Sequence, residues 1–234
     1  MTTLWTANLN AGNLTEFAST TVTGTGSTLA ANAASAYASA DGMDATVTGA
    51  GGNSAYASSP SQTVTTSVLS AQCRFKPHLM NVGVAGTVYL LMLHDSGDTV
   101  GSQIVCDNNA VYRLFVTSRA GGVQATTLTT QFTIDTWYLI ELKADWSGAN
   151  EVYQVYVNGV LDTTYTDSSV GSNKVYAKVL GGIYTANATS GTVETYTDDY
   201  ALGDAYIGAG GGVPFEMQQE ALAGGFRQMS GGMA

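Results

Sequence analysis

Along the middle of the chain, apolar and polar residues alternate with a period of two, in runs too short for helices of ordinary length. Between Thr136 and Trp146 the side chains of Tyr138, Ile140, Leu142, Ala144 and Trp146 share one face, with Glu141 and Lys143 on the other. This is the pattern of a strand with one buried side. Glu141 with its same-face neighbour Lys143 then reads as an exposed strand pair. Similar runs cover Thr63–Lys76, Thr87–His94, Ser102–Cys106, Ala110–Thr117 and Gly122–Thr133, each ending in a Gly, Asn or Asp cluster that marks a turn. Glu151–Val157 and Val160–Tyr165 flank Asn158-Gly159, the dipeptide best suited to the positive φ angles of a type I′ hairpin. Two further strands are predicted at Lys174–Ile183 and Thr192–Leu202, where the pattern stops.

The first quarter is less clearly patterned. From Ala18 to Gln62 the chain is rich in Ala, Ser, Thr and Gly and has no basic residue, a composition shared with disordered linkers. Alternation persists in Met43-Asp-Ala-Thr-Val-Thr48, between turn signals at Asp41-Gly42 and Gly49-Ala-Gly-Gly-Asn53, so ordered strands are expected. Their small side chains are expected to face solvent or a close neighbour. With 234 residues, only 11% of them charged, the chain suits one large all-β domain better than a helical bundle.

Charge and cysteine content narrow the classes of partner. Eighteen acidic residues against eight basic ones give a formal charge of −10, a field that disfavours nucleic acid and anionic membranes. No apolar run reaches membrane-spanning length, and Met1-Thr-Thr-Leu-Trp5 lacks the basic start and apolar stretch of a signal peptide. Synthesis and folding in the cytoplasm are expected. Cys73 alternates with Leu69, Ala71 and Phe75, and Cys106 shares a face with Ile104, so both thiols are expected to be buried and reduced rather than paired.

The end of the chain has a different character. Gly208-Ala-Gly-Gly-Gly212 precedes Val213, Phe215, Met217, Leu222, Phe226 and Met229, a segment too small for a core of its own. The expected organisation is a domain over residues 1–207 and a glycine-hinged arm over 208–234, docking through those six apolar side chains on another subunit.

Several segments carry a resemblance to a known superfamily. Asp135-Thr-Trp-Tyr-Leu-Ile-Glu-Leu-Lys-Ala-Asp-Trp146 followed by Tyr153-Gln-Val-Tyr-Val-Asn-Gly-Val160 resembles the concanavalin A-like, or laminin-G-like, jelly-roll superfamily. Thr197-Asp-Asp-Tyr-Ala-Leu-Gly203 looks like its closing strand, and the segment from Trp5 to Phe17 like its opening strand. The resemblance implies a two-sheet antiparallel jelly-roll sandwich. The superfamily includes lectins, glycosidases, polysaccharide lyases, adhesion modules and phage structural proteins, so fold alone does not choose a function.

Catalytic signatures are sparse. No E-x-D-x-E pair of the laminarinase type occurs, and that chemistry needs two facing carboxylates. Gln103-Ile-Val105 resembles the Q-I-[HV] signature of jelly-roll alginate lyases, and Tyr176-Ala-Lys178 their tyrosine- and lysine-bearing strand. Cys73-Arg-Phe-Lys76 departs from their arginine-rich strand. On this resemblance Arg74, Lys76, Gln103, Tyr176 and Lys178 would line a glycan groove with Tyr156, although the net charge opposes an anionic polysaccharide. Tyr156, Tyr176, Tyr196 and Tyr200 suit sugar stacking and protein interfaces equally. His78 and His94 lack a nucleophile motif and read as structural histidines. Relatives place a structural Ca²⁺ against the closing strand, which implies Asp198 and Asp199 as ligands. The opening strand here offers only Asn8 and Asn10, and the competing assignment for Asp198 is a strand-end hydrogen-bonder. No other cofactor is implied.

Together these features lead to an expected non-enzymatic virion structural protein, a capsid-decorating or tail-associated subunit. Its partners would be other virion proteins and further copies of itself. The alternative is a glycan-binding module or polysaccharide lyase of the jelly-roll type.

Overall fold

The computed structural model describes residues 2–49, 52–81, 87–95, 100–107, 112–117, 123–168, 175–185 and 191–208. Within them the chain forms two antiparallel sheets packed face to face. In spatial order, the eight-stranded sheet contains β13 (Val160–Asp167), β12 (Glu151–Val157), β11 (Tyr138–Asp145), β6 (Val68–Met80), β15 (Gly191–Gly203), β4 (Gly42–Gly49) and β3 (Thr28–Asn32). β1 (Thr3–Ala7) also pairs with β15. The seven-stranded sheet runs β10 (Val123–Thr127), β9 (Tyr112–Thr117), β8 (Val100–Asp107), β7 (Thr87–Asp95), β14 (Tyr176–Thr185), β5 (Ser54–Ser58) and β2 (Ser19–Thr23). This is the two-sheet jelly roll that the superfamily resemblance implies, with the opening and closing strands side by side. The six apolar residues assigned to the arm, Val213 to Met229, lie outside the described residues.

The predicted strands recur with shifted ends. β6 runs past Lys76 through Pro77 to Met80, and the register against β15 shifts between Glu194 and Thr195, beside Pro77, which has no N–H to give the ladder. Asn158 and Gly159 have φ of 52° and 79°, the left-handed pair a type I′ turn requires. The Ala/Ser/Thr-rich first quarter forms β2, β3, β4 and β5, and Ala45, Ala55 and Ala57 are fully buried. Their small side chains meet close neighbours rather than water.

The core lies between the sheets. Leu69, Phe75, Leu142, Tyr153 and Val155 from one sheet pack with Leu91, Leu93, Ile104, Val179 and Ile183 from the other, each large side chain contributing roughly 1.5–3 kcal/mol by leaving water. Cys73 and Cys106 are buried free thiols, and burial pushes Cys73 up to about 12, which keeps it protonated and unreactive.

Glu141 departs from expectation. Instead of forming an exposed pair with Lys143 it is only 2% exposed. The chain leaving β15 folds back over this strand, and the Ile207 and Gly208 amides donate to its carboxylate at 2.7 and 3.0 Å. Gln72 donates to it as well, at 3.3 Å. Burial raises the Glu141 pKa against these donors. Lys143 turns instead to Gln154 and Asp145.

Candidate functional site

On the outer face of the seven-stranded sheet lies a cleft of about 520 Å³. Strand alternation builds it: Ala55 and Ala57 point into the core, so Tyr56 and Ser58 point out. The register places Lys178 of β14 beside His94 of β7, and Leu180 of β14 between Met92 and Ser58. Tyr184 stands further along β14, its ring 5.5 Å from Tyr56 and 6.1 Å from Tyr89. These three rings form an aromatic run across β5, β14 and β7. Ser19, Thr21, Ser58, Ser59 and Ser61 complete the lining with hydroxyls.

The electrostatics of the cleft differ from those of the whole chain. Among the described residues its lining includes an ammonium, an imidazole, two phenols and five aliphatic hydroxyls, and no carboxylate. Charges more than about 8–10 Å away are largely screened at physiological ionic strength, so a ligand here meets Lys178 and His94 before it meets the overall −10. Burial raises the pKa of the Tyr89 phenol, with Tyr184 adding to the effect. The arrangement presents donors to oxygen-rich ligands, with ring faces for stacking.

Of the six residues first assigned to a glycan groove, only Lys178 lines this cleft. Gln103, paired with Met92, sits on the same sheet face one strand beyond His94 and is buried. Tyr176 is corrected outright. Its side chain is 0% exposed and points between the sheets, where its hydroxyl meets that of Tyr153 at 2.8 Å. A one-residue irregularity between Tyr176 and Lys178 separates their faces by more than alternation predicts. Tyr200 is likewise interior, bonded to Thr197 at 2.7 Å. His94, which the sequence reads as structural, lies at the cleft, and Tyr56 and Tyr184, which carry no sequence motif, line it too. Only the pairing of β5 with β14 brings those rings together.

Arg74, Lys76 and Tyr156 occupy the outer face of the other sheet. The Arg74 guanidinium lies 4.3 Å from the Tyr37 ring centre, and the Lys76 ammonium lies between Trp137 and Tyr196, at 5.1 and 4.6 Å. His78 stacks on Tyr196 at 4.8 Å and pairs with Asp135. Tyr156 packs against Tyr206 at 4.4 Å.

Asp198 and Asp199 follow the hydrogen-bonding alternative in part. Asp198 accepts from Tyr37 N at 2.9 Å, from Ser39 Oγ at 2.5 Å and from Asp199 N at 2.8 Å, which organises the loop before β4. Asp199 has φ of 50° at a register shift of β15. Burial, then the adjacent Asp198, raise its carboxyl to about 6 against the pull of Arg74. No group of three His, Cys, Asp or Glu side chains suited to a metal ion occurs among the described residues.

No protein-family profile matches the sequence, and no curated protein resembles it in sequence. Solved structures share its fold. An endo-β-1,4-glucuronan lyase from the fungus Trichoderma reesei superposes with a TM-score of 0.67 at 11% identity, over 89% of this chain and 98% of the lyase. The cellulose-induced protein Cip1 superposes at 0.64 with 12% identity, over 88% of this chain and 99% of Cip1. A botulinum neurotoxin serotype D/C binding domain gives 0.60 at 10% identity, over 94% of this chain but only 52% of that domain. At these identities the likeness shows the jelly-roll fold alone.

Proposed function

We propose that this jelly roll is a binding module for acidic glycans, with the ligand lying along the cleft of the seven-stranded sheet. The observation that carries this reading is the composition of the cleft: Lys178 and His94 stand among hydroxyls and tyrosine rings, with no carboxylate among the described lining residues, in a chain of net charge −10. Lys178 would meet a sugar carboxylate as a charge-assisted partner. Tyr56 and Tyr184 would stack on pyranose faces, and the serines would exchange hydrogen bonds with ring hydroxyls. The fold shared with a glucuronan lyase supports the reading as an analogy of architecture. A virion role would rest on composition and on the arm, whose six apolar residues lie outside the described residues, and none of the neighbours named above is a virion protein.

The test is calorimetric titration with polyglucuronate, polymannuronate and a neutral β-glucan. Binding to at least one polyuronate, weakened about tenfold or more by Lys178→Ala and weakened further by salt, is the expected result. Absence of binding to every polyuronate, or Lys178→Ala binding like the parent, would refute it.

A second reading is favoured by one feature of the same cleft, which groups an imidazole, a phenol and an ammonium. These are the groups needed to remove the proton beside a uronate carboxyl while a cation holds the carboxylate. Loss of that proton with cleavage of the glycosidic C4–O bond yields an unsaturated uronide. Its ultraviolet absorbance, monitored on the same polymers, separates a lyase from a binding module.

A further inference from the structure

We propose that the outer face of the eight-stranded sheet holds a second, separate saccharide site, built by Asp199, Arg74, Lys76, Tyr37 and Trp137, for neutral sugars with adjacent hydroxyls. It does not depend on the cleft or on the acidic-glycan reading.

Unused hydrogen-bonding capacity on this face is the first observation. The Asp199 carboxylate belongs to a residue only 6% exposed, yet among the described residues it accepts no hydrogen bond. Neither the Arg74 guanidinium nor the Lys76 ammonium donates one there, and Arg74 Nε is buried without a partner. Polar groups held this way without partners cost stability. The register sets Asp198 against Arg74 and Tyr196 against Lys76 on neighbouring strands, the Arg74 charge acts on the adjoining Asp199, and the contacting Tyr37 and Trp137 rings link Arg74 to Lys76.

Backbone strain is the second. Asp199 adopts φ of 50° at the irregularity between Asp198 and Ala201. A left-handed non-glycine residue at a bulge carries a local cost and re-aims its side chain. Asp198 explains its own place by bonding the Tyr37–Ser39 loop; Asp199 has no such internal partner.

The rings are the third. Tyr37 is 44% exposed and meets Trp137 edge to face at 5.5 Å, while Arg74 and Lys76 lie against these rings. A pyranose offers an apolar C–H face for a ring, and each of two adjacent hydroxyls both donates and accepts. One such diol would satisfy Asp199 as acceptor and Arg74 or Lys76 as donor. Charge selects against an acidic sugar: Asp198 and Asp199 balance the two cations, and Asp44, Asp135 and Glu194 border the same face. The two faces of the sandwich thus differ in chemistry, one suited to uronates and the other to neutral glycans.

Tryptophan fluorescence of the whole chain reads this face, since Trp5 and Trp146 pack against the core and Trp137 does not. Titration with cellohexaose, xylohexaose and mannohexaose should give a saturable change with at least one. Asp199→Asn, which keeps the side chain's size and tolerates positive φ, and Tyr37→Ala should each weaken it about tenfold or more. Lys178→Ala should leave it unchanged. The proposal is overturned if no hexaose gives a saturable change, if both variants respond like the parent, or if Lys178→Ala abolishes the signal, which would place the sugar in the cleft.

Discussion

The hydroxyls of Tyr153 and Tyr176 meet at 2.8 Å across the sandwich, joining β12 of one sheet to β14 of the other. Tyr153 also donates to Glu151. Burial pushes both phenols well above their ordinary range, so they stay neutral donors. Tyr176→Phe should remove the inter-sheet bond and cost about 1–2 kcal/mol. A fall in melting temperature of about 3–6 °C by calorimetry, with glycan binding intact, is expected.

Glu141 ties the chain after β15 to the sheet. Glu141→Ala should leave the Ile207 and Gly208 amides without their acceptor and cost about 1–3 kcal/mol. Hydrogen exchange should then accelerate at those two amides more than in β11 itself. Unchanged protection there would show that Ile207 packing alone holds the segment.

Asp199 makes a pH-dependent contribution whose sign is opposite to that of a salt-bridged aspartate. Its carboxyl rises from the ordinary 3.8 to about 6 in the fold, so the folded state binds the proton more tightly than the unfolded state. Ionisation therefore costs stability above about pH 6, and the cost is relieved as pH falls towards 4. Asp199→Asn should melt higher than the parent at pH 7, and the difference should shrink between pH 6 and 4. A constant difference across that window would contradict the assignment.

Gly181 faces the core where the Tyr200 ring crosses β14, and a Cβ there would coincide with the Tyr200 hydroxyl and ring. Gly181→Ala should destabilise the domain by about 1–3 kcal/mol through overpacking, read as a lower denaturant midpoint. Tyr200→Phe in the same background should recover part of the loss.

Local chemistry made much of the fold legible before any coordinates. Alternation assigned the strand faces of β11 and β6, and Asn158-Gly159 marked its hairpin, because side-chain direction in a strand and the φ angles of a two-residue turn are set by nearest neighbours. What lay beyond reach was how distant strands meet. Tyr176 and Lys178 look equivalent in sequence, but an irregularity in the β14–β7 ladder sends one into the core and the other to the cleft. Glu141 reads as a solvent-facing partner of Lys143 until the chain 66 residues later closes over it. The grouping of His94, Tyr56 and Tyr184 into one cleft, and of Tyr37, Trp137 and Asp199 on the opposite face, depends on strand order. Strand order is decided by the burial of two whole sheets against each other, a long-range balance that no short window of sequence contains.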